Sequence, residues 1–134
     1  MLSFQRNVFI SPARDALELG SPITIHNDAP VVPPDILRLV QIVVNRETRS
    51  GYVLRPDQPI GVDEALLAVT RGAAYQYFEE DEKGSLSVGK RADLVVLAAS
   101  PLAVEPGDLA DIDIVETISR VRTIYQNPDY FADR

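Results

Sequence analysis

The chain has 134 residues, of which 46% are hydrophobic and 25% charged, with a net charge of -7 and no cysteine; that is enough for about one packed domain. The negative balance argues against a nucleic-acid partner, because phosphate binding draws on clustered Lys and Arg, and no apolar run approaches the roughly 18 residues of a membrane span. Without cysteine there is neither a disulfide framework nor a thiolate metal site, which fits a cytoplasmic protein.

Met1 to Arg6 carry neither the basic flank nor the apolar stretch of a secretory signal. Ser11-Pro12 followed by Ala13 to Leu19 and Gly20 predicts a short helix, with Ser11 as cap, Pro12 at the first position and Gly20 at the left-handed exit. Ile23-Thr24-Ile25-His26 is a β-branched run that reads as a strand. Asn27 to Pro34 contains three prolines, which remove donors and fix φ, so a loop is expected at the strand's C-terminal end.

Asp35 to Asn45 predicts a helix with Ile36, Leu39, Val40 and Val43 on one apolar face. Arg46 to Pro59 is a polar connector. Its Arg46, Arg49 and Arg55, interrupted by Glu47, are the nearest approach to a basic patch and are expected on a solvated surface. A longer helix starts near Gly61-Val62, where Asp63 and Glu64 suit the positive end of the helix dipole, and Leu66, Val69, Ala73 and Tyr77 continue its stripe.

Glu79-Glu80-Asp81-Glu82 lacks the spaced ligands and turn glycine of a calcium loop and reads as solvated. Gly84 to Lys90 is turn-rich, Ala92 to Leu97 reads as a buried strand, Pro101 to Asp111 as a loop, and Ile112 to Tyr125 as two strands turning near Ser119-Arg120. The change from mixed elements to strands alone places a boundary between two units near residue 80.

Three segments together resemble the amidohydrolase superfamily, in the branch called amidohydrolase family 3, which includes enzymes similar to N-substituted formamide deformylases. They are Ile23-Thr24-Ile25-His26-Asn27-Asp28-Ala29-Pro30-Val31, then Ala65-Leu66 through Tyr75 with Phe78-Glu79-Glu80-Asp81, and Gly84-Ser85-Leu86-Ser87-Val88-Gly89-Lys90-Arg91-Ala92-Asp93-Leu94-Val95-Val96-Leu97. The third is the most specific, and all three occur in the family's order. The resemblance implies an α/β fragment: the last βα elements of a metal-dependent hydrolase (β/α)8 barrel in residues 1–78, followed by C-terminal strands of the associated β-sandwich in residues 79–134. A whole barrel takes about 250 residues, so most of the family's metal ligands are implied to lie outside this sequence. One departure is Val121, which stands in the last hairpin where relatives commonly place glycine; a β-branched residue resists the positive φ of a tight turn.

The resemblance makes Asp28 the catalytic residue and metal ligand, at the barrel's C-terminal rim. Read from its neighbours alone, Asp28 is an aspartate ordering a turn before a proline-rich loop. His26 is the only histidine and would share a face with Asp28 if the strand continued that far. His26 and Asn27 are expected to contact substrate or to support the site from behind; the alternatives are a satisfied structural histidine at 26 and a loop-shaping asparagine at 27. Asp93 is expected to order the turn before its strand. Gly84 to Lys90 fails as a phosphate loop because Arg91 replaces Ser or Thr and a strand follows. Ser11, Ser85 and Ser87 lack nucleophile-like partners.

The resulting expectation is the C-terminal portion of a metal-dependent amidohydrolase that hydrolyses C–N bonds of amide or formamide type in a small-molecule substrate. Its cofactor would be a divalent metal, zinc first, held only in the complete enzyme, so that this chain alone binds none and is inactive. The rival expectation is a non-catalytic folded module that complements a partner chain or forms a homo-oligomer through exposed apolar faces.

Overall fold

The computed structural model describes residues 10–132, which leaves the reading of Met1 to Arg6 outside the described residues. Helix α1 (Ala13–Glu18) opens at Pro12 without a side-chain cap. Ser11 does not cap it: its backbone sits at φ 46°, and its carbonyl instead receives the Ala13 N–H at 2.8 Å. Gly20 ends the helix at φ 72°, the left-handed conformation that costs glycine nothing.

The expected strand Ile23–His26 is not one. A strand is defined by its ladder, and among the described residues no backbone–backbone hydrogen bond reaches any of these four. The β-branched run is present, but among the described residues no second run pairs with it.

Helix α2 (Ile36–Asn45) is capped by Asp35, whose carboxylate accepts the Arg38 N–H at 3.0 Å, and ends with Arg46 in the left-handed region at φ 57°. Its buried face is Leu37, Val40 and Val43, whereas the expected Ile36 is 48% exposed. Arg38, Gln41 and Asn45 form one polar side of the helix, and the apolar side opposite is wide enough to admit two neighbouring stripes, of which packing selected one.

The next helix winds from α3 (Val62–Leu67) through a π-helical turn at Ala68–Gly72 into α4 (Ala73–Gln76). The inserted turn rotates the apolar stripe. Ala65, Ala68 and Ala74 become the fully buried positions; of the expected line, Leu66 and Val69 pack against the core half-buried and Tyr77 is left 71% exposed. Small residues are needed on that face. A Cβ built on Gly72 would lie 2.5 Å from the carbonyl oxygen of Ile23, and one on Gly84 would lie 2.6 Å from the Cβ of Ala74.

A three-stranded antiparallel sheet follows in the order β1 (Leu94–Leu97), β2 (Ile114–Ser119), β3 (Arg122–Gln126). The register shifts between Val96 and Leu97 and again between Thr117 and Ile118, the irregularities that bend and twist a strand. β1 was expected to be buried; Val95 and Val96 are instead 56% and 43% exposed, and of this strand only Leu97 packs against the apolar core. Within the expected loop 101–111, Pro106–Asp111 forms a 3-10 helix that buries Leu109, and α5 (Pro128–Phe131) closes the described chain.

One apolar cluster gathers these parts around α2: Leu37, Val40, Val43, Ile60, Ala65, Leu109 and Ile112, with Leu97 and Val104 packed against it. It draws on residues from both sides of position 79. Polar bonds fix the same seam, since Gln41 accepts the Ala110 N–H at 2.8 Å and Asn45 donates to the Pro106 carbonyl at 2.7 Å. No helix among the described residues is long and apolar enough to cross a membrane.

Candidate functional site

The stretch His26–Asn27–Asp28 leaves the irregular segment beneath α4 and enters the proline-rich loop. Thr24 anchors the approach by donating to the Gln76 side-chain carbonyl at 2.9 Å. Asp28 then turns at φ 52°, and the Val31 N–H returns to its carbonyl at 2.9 Å around a cis Ala29-Pro30 bond.

His26 and Asp28 do come together, though not as two residues on one strand face. The Asp28 backbone N–H donates to Nδ1 of His26 at 3.1 Å. The Asp28 carboxylate is exposed and makes no hydrogen bond or ion pair with the described residues, and Asn27 between them is half-buried.

Open space flanks the segment on both sides. A groove of about 490 Å³ runs between α1, residues 23–26 and α2, and is lined by Ala13, Ala16, His26, Leu39, Ile42 and Arg46 among others. A second, of about 650 Å³, lies on the α3–α4 side and includes Ile23, Leu67, Arg71, Tyr75, Glu80 and Lys90.

Arg46 was expected on a solvated surface, yet it is only 7% exposed. Its guanidinium donates to three carbonyls, Leu54 at 3.1 Å, Ser11 at 2.9 Å and Ile10 at 2.8 Å, and so forms the floor of the His26 groove. Burial, with the nearby Arg55 charge adding to it, lowers its pKa from the ordinary arginine value. None of these carbonyls belongs to α2, so nothing in the residues next to Arg46 signalled its burial. The acidic run is also less solvated than expected: Glu79 pairs with Lys83, and one carboxylate oxygen of Glu80 is buried with no hydrogen-bond partner among the described residues.

Asp93 does order a turn, but a more distant one as well. Its Oδ1 accepts the Arg120 N–H at 2.9 Å and the Ser119 hydroxyl at 3.2 Å, while its Oδ2 pairs with Arg91 at 2.7 Å. These bonds, the Arg120 amide first, lower the Asp93 pKa.

Among the described residues no three His, Cys, Asp or Glu side chains gather where they could hold one metal ion. A catalytic zinc typically has about three protein ligands plus water. A lone carboxylate beside an imidazole whose Nδ1 is already engaged does not fit a complete metal site.

The sequence matches the Amidohydrolase family over residues 2–125. The chain belongs to that family. An amidohydrolase relative, the N-substituted formamide deformylase of Arthrobacter pascens, is 31% identical over 113 residues, which are 84% of this chain and 21% of the relative. YtcJ of Bacillus subtilis, an amidohydrolase by name, is 29% identical over 103 residues, 75% of this chain and 20% of its own length. The chain therefore spans about one fifth of the curated amidohydrolases it matches. The crystal structure of an amidohydrolase from Thermotoga maritima superimposes with a TM-score of 0.64 at 19% identity, over 85% of this chain and 25% of that one, so the likeness extends to the fold.

Proposed function

We propose that this hydrolase fragment is the C-terminal part of a metal-dependent amidohydrolase acting on amide- or formamide-type C–N bonds. Residues 1–78 are the last βα elements of a (β/α)8 barrel, and residues 79–134 are strands of the accompanying β-sandwich. The observation that carries this reading is the segment Ile23–His26, a β-branched run with no ladder partner among the described residues, a groove on either side and an exposed carboxylate just past its end. A barrel strand takes a neighbour on each edge, and barrel enzymes place their chemistry where strands end. The C–N specificity rests on the name of the Arthrobacter relative.

Asp28 is the one donor that this chain contributes to a site for a divalent metal, zinc first, with the other ligands in the rest of the enzyme. When bound, such an ion polarises the substrate carbonyl and makes water more acidic. The Asp28 carboxylate takes the proton of the attacking water and passes it to the departing nitrogen, and His26 and Asn27 face the substrate from the same turn.

The test has two parts. The purified chain, incubated with zinc, cobalt or manganese and an N-substituted formamide, is expected to show neither stoichiometric metal nor turnover; both together in this polypeptide alone would overturn the incomplete-site reading. Joined to the remainder of the enzyme, Asp28→Asn is expected to lower kcat by about 10³-fold with little change in KM. Full activity in that variant would remove Asp28 from the chemistry.

A further inference from the structure

We infer that His26 is the positioning residue for Asp28, holding the Asp28 main chain through its Nδ1 lone pair; the inference rests on the reading of Asp28 as the site carboxylate. The Asp28 N–H reaches His26 Nδ1 at 3.1 Å, an amide two residues on from the side chain that accepts it. That is the connectivity of an Asx-turn, with an imidazole nitrogen where Asn or Asp would place an oxygen.

The other end of the Asp28 main chain is held too, because its carbonyl accepts the Val31 N–H at 2.9 Å. The two bonds clamp a backbone at φ 52°, a conformation that residues with a side chain seldom adopt. The carboxylate itself is bound to none of the described residues. A fixed main chain with an uncommitted side chain is what a presented donor requires, since sites depend on supports that hold their residues in place.

Accepting at Nδ1 assigns the ring proton to Nε2. His26 therefore has no Nδ1 lone pair left for a metal ion, and it offers an N–H donor from the groove it lines with Ala13, Ala16, Leu39 and Ile42. The pairing calls for a short side chain with an acceptor at this position: a longer or acceptor-free one could not close the same ring to the amide at 28.

The inference is tested on the nitrogen-15-labelled chain without metal. Imidazole correlations of the neutral ring are expected to show one tautomer, with Nδ1 unprotonated and Nε2 protonated. His26→Ala is expected to shift the Asp28 and Val31 amides and to speed Asp28 amide exchange by about tenfold, with the amides of α2 and β2 unchanged as the control for folding. His26→Asn, whose Oδ1 can accept the same N–H, is expected to restore both, and His26→Gln, one methylene longer, is not. A protonated Nδ1, an even mixture of tautomers, or unchanged Asp28 amides in His26→Ala would overturn the inference.

In the complete enzyme, His26→Ala is expected to lower kcat and His26→Asn to recover it. If the spectra fail while Asp28→Asn still abolishes turnover, the positioning role is wrong and Asp28 stands. If Asp28→Asn keeps full turnover, the functional reading fails and the positioning role fails with it.

Discussion

Both carboxylate oxygens of Glu64 accept from the guanidinium of Arg14, at 3.1 and 2.8 Å, tying α1 to the start of α3. One of them also accepts the Gly61 N–H at 2.6 Å. These bonds, the Gly61 amide first, lower the Glu64 pKa below its ordinary 4.5. A carboxylate whose folded pKa is depressed contributes stability that is present above the unfolded value and lost as pH falls through the folded one. Glu64→Gln is therefore expected to lower the melting temperature at about pH 7 and to lose that difference as the pH drops below 4.5. Thermal melts at neutral and acid pH check it, and an equal deficit at both would show that the charge is not what matters.

At Gly72 two effects compete. In an exposed helix, Gly→Ala gains roughly 1 kcal/mol from propensity. Here the new Cβ would sit 2.5 Å from the carbonyl oxygen of Ile23, and overpacking of that kind costs about 1–3 kcal/mol. Because the obstacle is backbone rather than a flexible side chain, Gly72→Ala is expected to destabilise, as a lower urea midpoint. A rise in the midpoint would mean that the helix and residues 23–26 can separate without loss.

Arg46→Met keeps much of the length and removes all three donors. The carbonyls of Ile10, Ser11 and Leu54 then lose a charged partner in a buried place. A loss of about 1–3 kcal/mol is expected, seen in the same denaturation experiment. Arg46→Lys is expected to recover only part of it, since an ammonium cannot reproduce the guanidinium fork.

The last hairpin predicts a gain. Ser119 pairs directly with Arg122, so the turn is only Arg120 and Val121, at φ 49° and 70°. Asp93 holds it from below. A left-handed β-branched residue costs about 1–2 kcal/mol, whereas the added chain entropy of glycine costs roughly 0.5–1 kcal/mol. Val121→Gly is expected to raise stability by about 0.5–1 kcal/mol, readable as a melting temperature a few degrees higher.

The sequence carried more of the element pattern than of its geometry. The α2 span, the hairpin and the strained Val121 were legible because each depends on a few adjacent residues. Ile23–His26 showed strand chemistry, but a ladder belongs to two segments and only one is described. Leu37 displaced Ile36 in the core because the wide apolar side of α2 leaves the choice of stripe to its neighbours. Arg46 looked like a surface cation because its carbonyl partners lie up to 36 residues away. At the candidate site, residue types pointed to Asp28 and His26, whereas the bond between an imidazole nitrogen and the amide of residue 28 depends on torsions that no spacing encodes.

The apolar seam around α2 has a practical consequence. Leu97, Leu109 and Ile112 come from beyond residue 79 and close over Leu37, Val40 and Val43 from before it. Cleaving the chain near residue 80 would thus leave each half with a raw hydrophobic scar rather than a tidy end. The chain should melt in a single transition, and limited proteolysis should find no cut there that releases two stable pieces.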